Sequence, residues 1–252
     1  MGNTVTEKPV NEQKSKAATI GLWLGLLAGL FLIVAGPGYR LHLWGLTVGL
    51  LLVPIALLFG VFTVVFALTG IIIASRDKLG GRGSAMVGLA AGVVAVVLPA
   101  LNIASAVRNP LHDITTDTID PPQFSAVLPL RGTGPRINSA VYDDKIARVQ
   151  HNVYPDIATL DLSIPPVQAF DRALATAHTM GWEIVASDPV HDRIEATATT
   201  FWFGFKDDVS VRITSSGRGS RVDVRSLSRI GQSDVGANAK RIRAYLAKVK
   251  EG

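Results

Sequence analysis

Residues 208–228 read DVSVRITSSGRGSRVDVRSLS, two runs of alternating apolar and polar residues on either side of Gly217-Arg218-Gly219. Alternation with a period of two marks strands with one buried face, and the glycine-flanked break marks a hairpin. Placing Val209, Val211 and Ile213 on the core face with Val222 and Val224 sets the register. Arg212 then stands opposite Asp223 on the outer face, with Ser210 opposite Arg225 as the next pair. A cluster of carboxylates and guanidiniums on a sheet surface follows, which Glu195 from the preceding hairpin can join.

Outward from this hairpin the pattern continues. Residues 182–187 and 193–200 alternate as strands about Asp188-Pro189-Val190-His191-Asp192, with Ile184, Ala186, Ile194, Ala196 and Ala198 expected inward. Upstream, 161–164 reads as a strand. Pro165-Pro166 opens a helix, since a first-turn proline forfeits no hydrogen bond. That helix is expected to hold Val167, Phe170, Leu174 and Ala177 on one face and to stop at Gly181. Downstream, Ser233 or Asp234 caps a last helix that runs to about Lys250 with Ile242, Leu246 and Val249 buried. Its cations, Lys240, Arg241, Arg243, Lys248 and Lys250, read as a solvated face. The stretch 109–123 is a Pro- and Asp-rich connector, and a short helix falls near 139–150. Strand, helix, four strands, helix is the order of an α+β domain whose antiparallel sheet is covered by helices on one face.

The first 104 residues obey a different solvent. With 48% hydrophobic residues in 252, the chain is too apolar for an ordinary soluble protein. Residues 17–35 are an uncharged run long enough for about 30 Å of hydrocarbon, closed by Gly36-Pro37-Gly38. Residues 43–75 exceed one span, so Pro54 is taken to separate an interfacial or tilted piece, 43–53, from a crossing at 55–74. A third span, 84–104, carries small residues Gly88, Ala91, Gly92 and Ala95 at spacings that suit close packing in lipid. The predicted architecture is therefore a three-helix transmembrane anchor over 17–104, after a cytoplasmic tail of residues 1–16. It precedes an extracytoplasmic α+β domain over 105–252. No span has an ionisable residue at its middle, which points to anchoring rather than transport.

Charge sets orientation. The net +5 resolves into 7 Lys/Arg against 3 Asp/Glu up to residue 104, and 18 against 17 beyond it. The folded domain thus has no basic excess, and nucleic acid is not an expected partner. Lys8, Lys14 and Lys16 in the tail and Arg76, Lys78 and Arg82 in the second loop face only Arg40 and Arg108 on the opposite side, so tail and second loop are assigned inside. The expected location is a bacterial-type inner membrane with the domain periplasmic; a thylakoid membrane is the alternative. The start Met1-Gly2-Asn3-Thr4-Val5-Thr6 also fits an N-myristoylation pattern. Cysteine is absent, which excludes disulfides and thiolate metal sites.

The motifs His112-Asp113-Ile114-Thr115-Thr116-Asp117, Pro121-Pro122-Gln123-Phe124, Tyr154-Pro155-Asp156, Gly181-Trp182-Glu183 and Arg193-Ile194-Glu195-Ala196-Thr197 occur in that order. Phe205-Lys206-Asp207-Asp208, Val211-Arg212, Asp223-Val224-Arg225-Ser226, Ser228-Arg229 and Asp234 to Ile242 complete the series. Together the stretch from 109 to about 246 resembles domain-of-unknown-function family 1499. The resemblance implies a domain behind an apolar N-terminal block and implies no activity.

Three groups of residues are candidates for function. His112, Asp113 and Asp117 supply oxygen and imidazole ligands for a cation, or bond to nearby backbone in turns. Glu195, Asp207, Asp208, Arg212, Asp223, Arg225 and Arg229 suit binding of a ligand or partner, acid/base work, or a structural ion-pair network. Trp202, in Phe201-Trp202-Phe203-Gly204-Phe205, suits the outer leaflet, an apolar ligand pocket, or core packing at a strand end. No phosphate loop, nucleophile elbow or zinc helix occurs in the sequence. No catalytic residue is assigned and no cofactor is expected. The expectation is a domain that binds an envelope protein or a lipid-like molecule. A hydrolase-like enzyme using the charged cluster and a lipid-binding module are the alternatives.

Overall fold

The computed structural model describes residues 11–252, and the chain parts between Asn102 and Ile103 into two compact units. The N-myristoylation pattern and Lys8 lie outside the described residues.

The first unit is built on α1 (Lys16–Arg40), α2 (Leu46–Arg76) and α3 (Arg82–Arg108), each long and apolar enough to cross a membrane. A short strand β1 (Asn11–Lys14) pairs in parallel with β2 (Leu79–Gly80) in the α2–α3 connection, so the cationic tail and the cationic second loop meet at one end. The helices pack through small side chains. Gly21, Gly25 and Ala28 of α1, Gly60, Thr63, Ala67 and Gly70 of α2, and Ala85, Gly88, Gly92 and Ala95 of α3 are all buried. Their spacings of three and four are those of a packed helix seam. Large side chains such as Trp23, Ile33, Leu51 and Val65 stay exposed, the reverse of a water-soluble bundle and the pattern expected where lipid is the solvent.

Two boundaries differ from the expected ones. α1 continues through Pro37 to Arg40, and α2 is one helix of 31 residues with Pro54 inside it. An interior proline removes one hydrogen bond without ending a helix held on both sides by packing. The whole of α2 rises about 46 Å at 1.5 Å per residue, so its excess length lies in the helix itself rather than in a separate segment.

The second unit holds a six-stranded antiparallel sheet: β3 (Asp113–Thr115), β4 (Leu160–Leu162), β5 (Glu183–Asp188), β6 (Arg193–Thr199), β7 (Lys206–Ser216) and β8 (Gly219–Ser228). Its order is β3-β8-β7-β6-β5, with β4 beside β3 on the same edge of β8. The hairpin register is the one predicted: Arg212 opposes Asp223 and Ser210 opposes Arg225. Gly217, at φ +60°, opens its two-residue turn. On one face α5 (Pro166–Thr179) and α6 (Ala237–Glu251) enclose Phe170, Ile194, Val209, Val211, Val222, Val224 and Ile242. Trp182 stacks on Tyr245 at 4.7 Å between sheet and helices.

Some assignments within this unit are corrected. Val167 is exposed, and Ala169, Ala173 and Thr176 take the inner positions of α5 with Phe170 and Ala177. A bulge between Ile184 and Ala186 puts Ala186 beside Glu195, on the sheet face away from the helices, because one extra residue reverses the alternation. The connector holds an edge strand, β3, which period-two patterning could not reveal in three residues that are all buried. The helix expected near 139–150 is α4 (Asp144–Val153).

A Cβ built on Gly70 would lie 2.5 Å from the backbone of Ala18, whereas one on Gly29 meets nothing within 4 Å. Gly70→Ala is expected to destabilise the helical unit by about 1–3 kcal/mol through overpacking, while Gly29→Ala leaves it unchanged or more stable. Thermal unfolding of the two variants in detergent measures the difference.

Candidate functional site

The expected charged cluster is buried. Residues 116–142 cross the sheet face opposite α5 and α6 as a strap, so this face is a second interior and not the solvent-exposed surface anticipated. Phe124 and Val127 of the strap bury Leu227 of β8. Around that contact the strap is held almost wholly by polar bonds to the sheet.

Three arginine centres lie under it. Arg225 is fully buried and bidentate to Asp113, with Nε–Oδ1 3.0 Å and Nη2–Oδ2 2.7 Å. Its Nη2 also donates to the Ala140 carbonyl, and the guanidinium packs against the rings of Phe124 and Tyr142. Asp208, fully buried, accepts from Arg131 Nη1 at 2.5 Å, from Arg229 Nε and Nη2, and from Thr197 Oγ1. Arg212 is surrounded by three carboxylates, donating to Asp120 at 2.6 Å, Asp117 at 2.9 Å and Asp223 at 3.2 Å. Asp223 takes further bonds from the Thr116 and Thr159 hydroxyls. Such pairs offset the desolvation of each ion only because nearly every donor and acceptor is used.

Glu195 is held differently. It is 4% exposed and accepts from the Ser125 amide, from Ser125 Oγ at 2.6 Å, and from the Val127 amide. Donors from one short turn thus replace a guanidinium as its neutralising partners. With Ser125, Ala186, Asp188, His191 and Arg193 it lines a pocket of about 400 Å³. His191 Nδ1 is 2.7 Å from Asp188 Oδ2 at the rim. Asp208, Arg212 and Arg225 are not among its lining residues.

Asp207 does not belong to this face. It pairs with Arg241 at 2.6 Å on the helix side, where Arg241 also donates to Ser226 and Asn238. Arg241 is therefore turned inward and not part of a solvated helix face, and Arg243 is bidentate to Asp156. Asp234 accepts from the Gly236 and Asn238 amides at the start of α6. Burial pushes its carboxyl above the usual range despite those two bonds, with Asp207 adding to the rise.

The proposed cation ligands are spent elsewhere: Asp113 on Arg225, and Asp117 on Arg212 and on the amides of Ile119 and Asp120. His112 Nδ1 lies 3.3 Å from the Gln232 carbonyl oxygen. Among the described residues no three His, Asp or Glu side chains gather as a metal site. Arg131, Asp120 and Ser125, which complete the ion pairs and the Glu195 nest, carry no periodic signal in the sequence. Trp202 is 42% exposed in the β6–β7 connection and takes no part in these ion pairs.

Removing one partner of a buried pair leaves the other uncompensated, so Arg225→Met is expected to cost about 3–5 kcal/mol, read as a lowered midpoint in urea for the full chain. The pH dependence has a definite sign. Burial opposes ionisation of Asp117, but the amides of Asp120 and Ile119 and the Arg212 guanidinium outweigh it and hold the carboxyl below its usual range. Its contribution is then complete above the unfolded value of about 3.9 and is lost as pH falls through the folded one. Asp117→Asn is expected to lower stability at pH 7 and to flatten its decline in acid, measured by urea titration across pH 3–7.

A search among curated proteins finds no match to this chain. The profile of DUF1499, described as a protein of unknown function, matches residues 113–249, from the first residue of β3 almost to the end of α6. Covering more than half of the sequence and the whole of the sheet, that match makes this chain a member of the DUF1499 family.

Proposed function

We propose that the chain is a multi-pass protein of a bacterial-type inner membrane that holds its α+β domain on the periplasmic side. There the domain binds an envelope protein or a lipid-like molecule, without catalysis. The observation that carries the binding reading is the commitment of the charged groups to one another. Asp113, Asp208, Asp223, Arg212, Arg225 and Arg229 are all engaged in ion pairs or charge-assisted bonds beneath the strap, which supports a structural role for them over one in binding a substrate. The stacked Trp182 and Tyr245 and the side chains around them occupy the space between sheet and helices, so a lipid-like ligand would lie on the surface. Orientation is supported by the meeting of β1 with β2, which gathers Lys14, Lys16, Arg76, Lys78 and Arg82 at one end of the helical unit.

The hydrolase-like alternative draws on a single observation, the Ser125 hydroxyl bonded to Glu195 in an open pocket beside His191. It requires Ser125→Ala to abolish a measurable turnover with folding intact.

Because the chain has no cysteine, single cysteines report accessibility without background. Val190→Cys, in the exposed β5–β6 turn, is expected to react with a membrane-impermeant maleimide in intact cells. Asp77→Cys, between α2 and β2, is expected to react only after permeabilisation. The opposite pattern overturns the periplasmic placement. A photo-cross-linking residue at Ile119 or Val141, both at least 80% exposed, is expected to give one discrete adduct with an envelope protein or lipid. Absence of adducts at both positions counts against the binding reading.

A further inference from the structure

The run Phe201-Trp202-Phe203-Gly204-Phe205 forms the connection between β6 and β7. It is a closed loop: the Thr200 amide donates to the Phe205 carbonyl, the Phe205 amide to Thr200 Oγ1, and the Gly204 amide to the Thr200 carbonyl. Phe203 and Phe205 stack at 5.0 Å as its inner wall, leaving Phe201 85% and Trp202 42% exposed at its tip. Among the described residues, the other exposed Phe and Trp side chains are Trp23 and Phe62, on α1 and α2. A sheet turn that leaves two aromatics exposed to this extent is not explained by core packing alone.

The topology places this tip at the end of the sheet where the chain arrives from α3. Ser105, in the last turns of α3, donates to the Val235 carbonyl, Ser233 donates to the Asn109 carbonyl, and the Asp234 amide to the Leu111 carbonyl. The Ser228 amide donates to His112, and β3 begins at Asp113 opposite Leu227. The next residue of the β8 strand, Arg229, donates its amide to Lys206, the first residue of β7 after the aromatic loop. The same Arg229 holds the Leu130 carbonyl, and Leu130 is 53% exposed. Only Asn109-Pro110-Leu111-His112 separate α3 from β3, at most about 14 Å of extended chain. Val190, in the β5–β6 turn, lies at the opposite end of the sheet.

We infer that the loop tip, Phe201 and Trp202, inserts into the headgroup layer of the bilayer that α3 leaves, a second and non-covalent attachment of the domain to the lipid surface. Tryptophan suits that layer because its ring is apolar and its N–H finds acceptors there. Four residues of chain join α3 to β3, short enough to let this end of the sheet reach the surface whichever side of the membrane the domain occupies. The inference rests on the membrane-spanning reading of the three helices and not on the orientation.

The test uses the full chain in vesicles of phosphatidylcholine and phosphatidylglycerol, with single cysteines carrying an environment-sensitive nitrobenzoxadiazole dye at Phe201→Cys, Trp202→Cys, Val190→Cys and, in the middle of α2, Leu58→Cys. Lipids with a nitroxide at a shallow or a deep position serve as quenchers. The expected result is blue-shifted emission at 201 and 202, quenched at least twofold by the shallow nitroxide, with water-like and unquenched emission at 190. Water-like emission at 201 and 202 overturns the inference. Blue-shifted but unquenched emission there overturns it in favour of a protein surface covering the loop. Position 58 separates the premise from the inference: deep quenching at 58 keeps the spanning reading intact in either case, and its absence removes both together.

Discussion

The buried pair of Arg225 and Asp113 is the constraint on which the second unit depends. A guanidinium with no exposure is tolerable only if its nitrogens find acceptors, and here Asp113, the Pro122 carbonyl and the Ala140 carbonyl supply them. Asp113 belongs to β3, Ala140 to the far end of the strap, and Arg225 itself to the central hairpin. Satisfying one side chain therefore fixes the edge strand, the path of the strap and the register of β8 together. Asp208 repeats the device one strand over, where Arg131 ties the middle of the strap to β7 and Arg229 ties the end of β8. Glu195 completes it on β6 through Ser125 and Val127. The sheet thus has an apolar interior on its helix side and an ionic one on its strap side.

What the sequence made legible divides along those two interiors. The apolar one was readable in detail: Val209, Val211 and Ile213 against Val222 and Val224 came from alternation alone, and the pairing of Arg212 with Asp223 followed from it. Period-two patterning reports burial only when the buried side chains are apolar, so the ionic interior read as a solvent face. Arg131, Asp120 and Ser125 sit in irregular backbone, where no spacing rule links them to strands some 70 to 90 residues later. Asp207 and Arg241 were legible as charged residues but not as partners, since a helix wheel cannot show that one arginine of a basic helix bends back to a strand. The bulge at β5 defeated the placing of Ala186 for a related reason: one inserted residue is invisible in a six-residue run.

The helical unit follows the opposite accounting. Its seam consists of glycine, alanine and threonine, and its large side chains point outward. Close approach supplies dispersion contacts that the apolar effect cannot supply between helices in lipid. Composition revealed the three helices. Proline misled about the ends of two of them, because Pro37 and Pro54 are carried within continuous helices.

The edge strand that accepts Arg225 is made long before the arginine. Four residues separate Asp113 from the end of the last apolar helix, whereas Arg225 comes 112 residues later, and at ordinary elongation rates that interval lasts roughly 6–22 s. Throughout it β3 has no partner strand, and the strap can meet only the strands that precede β8. Closure of the domain is thus a late, long-range event of high contact order, and the segment nearest the anchor is among the last to acquire its native neighbours. The edge strand and the strap of this chain therefore lack part of their native partners until the β7–β8 hairpin has been made.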